Sequence, residues 1–229
     1  MNILQTTLID LTHTISADIP TWNGTSEFEQ HTVIDYSDCT TNTKFRVQKL
    51  CMSAGIGTHM DAPAHCIPQA ASIEFLKLST LLAPCAVIDV GARSHAEYSI
   101  SRDDIKQFEQ KYGTIKAGTL VACNTGWDKF WTDAKAYRNN LVFPSISADA
   151  AQYLANRNIA GIAIDTLGVD RPQEDFIAHQ ILLSAGIYII ENATNLEKLP
   201  PTGAFTIALP IKIANGTEAP IRFIGLINK

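Results

Sequence analysis

The stretch Gly55-Ile56-Gly57-Thr58-His59-Met60-Asp61-Ala62-Pro63-Ala64-His65 gathers two imidazoles and a carboxylate over a very short distance. Two glycines introduce them, so the backbone can bend there to converge side chains instead of continuing as an ordinary helix or strand. If His59 and Asp61 lie on an extended segment, a period of two puts both on one face. An imidazole nitrogen and a carboxylate oxygen can then share one divalent ion. Pro63 stiffens the turn that swings His65 back. A histidine in a Gly/Pro loop is ordinarily a surface residue without a task, and six histidines are scattered over the chain. It is the cluster, not any one member, that reads as a site.

At these residues the chain resembles the metal-dependent cyclase family, the group of kynurenine formamidase-like and isatin hydrolase-like enzymes, whose central motif reads HxGTHxDxPxH. Gly57-Thr58-His59, Asp61-Ala62-Pro63 and His65 carry the likeness. Ile9-Asp10-Leu11-Thr12-His13 is similar to the family's opening strand, Asn124-Thr125-Gly126-Trp127 to its mid-chain turn, and Gly161-Ile162-Ala163-Ile164-Asp165-Thr166 to its late buried strand. Phe176-Ile177-Ala178-His179, Ile190-Glu191-Asn192 and Asn195-Leu196 resemble its last functional block, so the likeness runs over essentially the full length. One departure outweighs the agreements. The motif's first histidine would fall where Gly55 stands, and a glycine has no side chain with which to ligate.

The resemblance implies a metal shell of His59, Asp61, His179 and Glu191, with His65 beside it in proton transfer and the half containing Gly55 short of one ligand. Read by their own surroundings, the last two differ. Glu191 closes the apolar run Ile187-Tyr188-Ile189-Ile190, and a carboxylate there must be compensated by a cation, a metal or strong donors. His179 lies on an apolar helix, where a histidine is usually a hydrogen-bonded core residue. Mixed nitrogen and oxygen donors suit Zn²⁺ first and Mn²⁺ second, and disfavour Ca²⁺ or copper–sulfur chemistry. The implied reaction is hydrolysis of the C–N bond of a formamide or cyclic amide. Two other readings stay open: hydrolysis of a cyclic ester on the same site, and a non-catalytic small-molecule binder disabled by Gly55.

The elements that must position these groups belong to an α/β class with a mixed sheet, expected as one domain over residues 1–229. The resemblance implies a swivelling β/β/α architecture and a homo-oligomer, a dimer or tetramer. With 46% hydrophobic and 18% charged residues the composition is that of a globular chain. A net charge of −5 without a Lys/Arg cluster argues against nucleic acid as a partner. No apolar run approaches the ~20 residues of a membrane span, and the first residues lack the pattern of a secretory signal. A cytoplasmic protein is expected. Cys39, Cys51, Cys66, Cys85 and Cys123 form no CxxC pair, and most are expected as buried thiols. A thiolate from Cys51 could take the place of the missing imidazole, but its position near the end of an alternating strand reads first as that of a small buried residue.

Strands are expected over residues 7–14, 45–52, 86–90, 118–123 and 159–165, with Asp165 and Asp170 as solvated turn carboxylates. Helices are expected over 101–111, capped by Ser101 with Asp104 in a capping box, and over 127–139, 147–157 and 176–185. Trp22 sits in a Pro/Gly loop, where two readings stand: lining a substrate pocket, or, ahead of it, packing over the core edge. Two final strands, 206–214 and 220–227, join around Asn215-Gly216 as a hairpin that only completes the sheet.

Overall fold

The computed structural model describes residues 5–228. Among the described residues there are twelve strands: β1 (Thr6–Asp10), β2 (Phe28–Ile34), β3 (Val47–Met52), β4 (His59–Asp61), β5 (Leu82–Asp89), β6 (Ser99–Ile100), β7 (Leu120–Asn124), β8 (Ser145–Ile146), β9 (Gly161–Ile164), β10 (Tyr188–Glu191), β11 (Ala204–Pro210) and β12 (Glu218–Asn228). Five helices accompany them: α1 (Leu78–Leu81), α2 (Arg102–Tyr112), α3 (Ala134–Arg138), α4 (Ala148–Ala155) and α5 (Ile177–Ser184). No described helix is long and apolar enough to cross a membrane.

The main sheet runs β1-β12-β11-β5-β7-β9-β10-β4, and β4 pairs again with the start of β12. That second pairing closes the sheet on itself, leaving β1 as an appended strand. β5, β7, β9 and β10 are parallel neighbours, while β11, β12 and β4 pair antiparallel. The sheet is mixed, as expected for the α/β class. The parallel strands are apolar on both faces because both are covered. Val87, Leu120, Ala122, Ala163, Ile190, Met60, Ala208 and Phe223 fill the interior. Ile88, Val121, Ile162 and Ile189 point outward against Ile105 and Phe108 of α2, Leu154 of α4 and Leu182 of α5.

Small residues let this interior close. A Cβ on Gly161 would lie 2.2 Å from the ring of Tyr188, its register partner on β10. Tyr188 is fully buried there and donates its hydroxyl to the Thr80 carbonyl at 2.9 Å. Gly161→Ala should therefore overpack the barrel and cost about 1–3 kcal/mol. At roughly 2–4 °C per kcal/mol for a chain of this size, the thermal midpoint should fall by several degrees. An unchanged midpoint in a calorimetric scan would show that the ring moves freely.

Ser101 does cap α2, accepting from the Asp104 amide while Asp104 accepts from Ser101 N. The expected helix over 127–139 is broken instead into a 3₁₀ turn (Asp128–Phe130) and α3. Asp133 is the cause, because its side chain accepts from the amides of Lys135 and Ala136 and starts a new helix. Trp127, Tyr137, Phe143 and Leu167 still form one buried cluster, with Phe130 and Trp131 packed against it. The strand expected over 45–52 exists as β3, but among the described residues it pairs only with β2, in a separate ribbon whose residues are almost all exposed. Its alternation of apolar and polar residues covers no core of this chain.

Candidate metal centre

Strand β4 has three residues, and its alternation separates two functions. Met60 turns into the barrel interior, while His59 and Asp61 turn to the opposite face. Across the ladder Glu191 of β10 pairs with His59, and Glu218 of β12 pairs with Asp61. Cross-strand partners share a face, so one imidazole and three carboxylates project together where the sheet closes. Helix α5 packs over that face and contributes His179, so the structure brings His59, Asp61, His179 and Glu191 together.

The contacts pair off. His59 Nε2 lies 3.5 Å from Asp61 Oδ1 and 3.4 Å from Glu191 Oε2. His179 Nε2 lies 3.7 Å from Asp61 Oδ2 and 3.2 Å from Glu191 Oε1. Each carboxylate thus turns one oxygen to each imidazole. Asp61 Oδ1 and Glu191 Oε1 are buried without a hydrogen-bond partner among the described residues. Buried carboxylate oxygens whose nearest partners are imidazoles outside hydrogen-bonding geometry are costly unless a cation meets them. Donor atoms around one tetrahedral ion stand about 3.4 Å apart when each bond is near 2.1 Å. The observed spacings match that figure, and the residues present fit divalent ions.

Each imidazole is set to present Nε2. His59 Nδ1 donates to the Gly57 carbonyl at 2.9 Å, and His179 Nδ1 lies 2.9 Å from Asp170 Oδ2. Asp170 also accepts from the amides of Ala178 and His179 at the start of α5. Burial disfavours a charged His59, yet Glu191 and Asp61 outweigh it and raise its pKa to about 9. Burial likewise works against a charged Glu191, but His179 and His59 hold its carboxyl down to about 2. Field and geometry both favour a cation at this point.

Asp165 and Asp170, expected as solvated, are almost completely buried. Asp165 accepts from Thr125 N, Thr125 Oγ1 and Trp127 N, tying the 124–127 turn to the end of β9. Burial pushes its carboxyl up to about 6. Backbone amides that satisfy these groups arrive from distant segments, which no local pattern reveals. Asn192 is a similar tie, accepting from Tyr137 Oη at 3.0 Å and donating to the Gly57 carbonyl at 2.9 Å. The last hairpin does more than complete the sheet, since it delivers Glu218. A charged residue soon after an Asn-Gly turn reads as solvated, and only the vacancy at Gly55 signals the need for another donor.

A cavity of about 470 Å³ opens over the centre, with His59, His65, His179, Glu191 and Glu218 at its polar end. Trp22, Leu167 and Phe176 form its apolar wall, the two aromatic rings 5.9 Å apart. Trp22 therefore faces the cavity as well as packing edge-on against Phe143. His65 stands in the cavity with Nδ1 3.3 Å from Glu218 Oε2. Cys51 is exposed on β3 and belongs to neither group of converging donors among the described residues. Only Cys85 and Cys123 of the five thiols are buried.

Residues 9–171 match the family model described as "Putative cyclase". Isatin hydrolase of Roseibium aggregatum is 35% identical over 188 residues, covering 76% of this chain and 72% of that protein. Kynurenine formamidase of Salinibacter ruber is 29% identical over 220 residues, covering 95% of this chain and 96% of the other. A crystal structure of an isatin hydrolase bound to the product analogue thioisatinate superposes with a TM-score of 0.90 at 30% identity, over 98% of this chain and 94% of that one.

Proposed function

The chain belongs to the cyclase family, and from that premise we propose that it is a metal-dependent hydrolase that opens the C–N bond of an aromatic formamide or cyclic amide. In this reading His59 and His179 would each hold a divalent ion together with Asp61 and Glu191. Zn²⁺ is the first choice and Mn²⁺ the second. The observation that carries the proposal is the convergence of those four side chains, with orphaned carboxylate oxygens, at the end of an aromatic-walled cavity. A volume of about 470 Å³ suits a bicyclic or monosubstituted aromatic substrate.

When bound, the ions supply a water whose pKa is lowered from about 15.7 towards ~7 and a Lewis acid for the carbonyl. The chain's own groups do the rest. Trp22 and Phe176 hold an aromatic ring so that its amide points to the polar end. Glu218 Oε2 engages His65 Nδ1, which leaves Nε2 free to take the proton of the attacking water. The oxygen of that water adds to the carbonyl carbon, the C–N bond breaks, and His65 returns the proton to the departing nitrogen. A carboxylate and an amine result.

Rates on N-formylkynurenine, isatin and a small lactone panel, before and after chelation, test this. Turnover of an aromatic amide, lost on chelation and restored by Zn²⁺ or Mn²⁺, is the expected result. Faster lactone turnover would favour a cyclic-ester hydrolase, and a protein purified without metal and silent in every assay would favour a small-molecule binder.

The proposal includes a homo-oligomer, supported by Val33, Phe45, Val47 and Leu50, large apolar side chains exposed on or beside the β2–β3 ribbon that a second copy would cover. It also includes a cytoplasmic setting, with which the five free cysteines agree.

A further inference from the structure

We propose that Glu218 is a metal ligand of this chain, supplied from β12 in place of the side chain that Gly55 lacks. The inference rests on the metal-dependent reading above and concerns the His59 half of the centre. A Cβ built on Gly55 would lie 2.1 Å from Glu218 Oε1 and 3.4 Å from His59 Nε2. The carboxylate therefore already occupies the space into which any residue at 55 would grow, next to the nitrogen that His59 presents. Glycine at 55 and glutamate at 218 are two parts of one arrangement.

Strand register explains how a residue so distant in sequence arrives there. Glu218 is the first residue of β12 and pairs with Asp61 across the closing ladder, so its side chain lies on the face that carries His59 and Asp61. Asp61, His65 and Glu218 offer ligand atoms all within 4.8 Å of one another, as do His59, Asp61 and Glu191. Asp61 belongs to both groups, so Glu218 is in reach of a carboxylate that also faces His59. The His59 half otherwise has three donors, His59 Nε2, Asp61 Oδ1 and Glu191 Oε2. Glu218 Oε1 makes a fourth, and its Oε2 remains on His65.

The arrangement predicts an exchange. Gly55→His alone should collide with Glu218 and lower metal affinity, whereas Gly55→His combined with Glu218→Ala should recover it, because an imidazole then has both the space and the open position. Zinc binding by calorimetry, metal content per chain and the Co²⁺ absorption spectrum read this without reference to turnover. Glu218→Ala and the near-isosteric Glu218→Gln should each weaken one ion at least tenfold and change the Co²⁺ bands. The Gln variant preserves shape and guards against a folding defect in the Ala variant. Wild-type content, affinity and spectrum in both Glu218 variants would overturn the inference and leave Glu218 as a positioning residue for His65. A wild-type protein that binds no divalent ion would instead overturn the metal-dependent reading beneath it.

Discussion

Glu191→Gln should lower kcat/KM by at least about 10³-fold and release bound metal, because the effect is the loss of the ion's chemistry and not of one hydrogen bond. Glu191 is buried with one oxygen facing each imidazole. A glutamine keeps the volume but replaces one of those oxygens with an NH₂ group, which offers a cation no lone pair. Whichever way the amide turns, one imidazole loses its partner. The remaining charge must then be carried by Asp61 and by Glu218, its register partner across the ladder. Metal analysis of the purified variant beside steady-state rates would check this. Full metal content with wild-type turnover would remove Glu191 from the centre.

The second large effect separates chemistry from binding. His65→Ala should reduce kcat by about 10²–10⁴-fold, the usual contribution of a general acid–base, while the protein keeps its metal. His65 stands in the cavity with Nδ1 held by Glu218, and the shell proposed for the ions does not include it. A variant that loses metal together with turnover would make His65 a ligand and leave the proton without an acceptor in this account.

Much of the centre was legible in the sequence because its first half is local. His59 and Asp61 are two apart on a strand, so one face carries both whatever the rest of the fold does. Glu191 could be read from its place at the end of an apolar strand, where an uncompensated charge is untenable. His179 was visible through resemblance alone, and its helix pattern by itself pointed to a core histidine. The residues that escaped depend on long-range closure. Asp170 reads as a turn residue until α5 is set against it and its amides arrive. Glu218 reads as a solvated residue after a hairpin turn until β12 pairs with β4. The broken aromatic helix and the exposed β2–β3 ribbon show the same limit from the other side. Periodicity identifies an apolar face, while a local cap or a missing neighbour decides what that face does.

Gly55 carries the most information for its size. As a departure from the HxGTHxDxPxH pattern it suggests a damaged site, and from the sequence a disabled binder was a fair alternative. Beside Glu218 it reads as a vacated position with an occupant. The cavity, the paired carboxylates and the oriented imidazoles around it are arranged as a working centre would need them.

Anomalous diffraction from crystals soaked in Zn²⁺ or Mn²⁺ tests the central claim most directly. Difference peaks are expected within bonding distance of Nε2 of His59 and of His179, each also within reach of Asp61 and Glu191. Peaks confined to other parts of the surface, or ordered crystals with those four side chains converging on no ion at saturating metal, would contradict it.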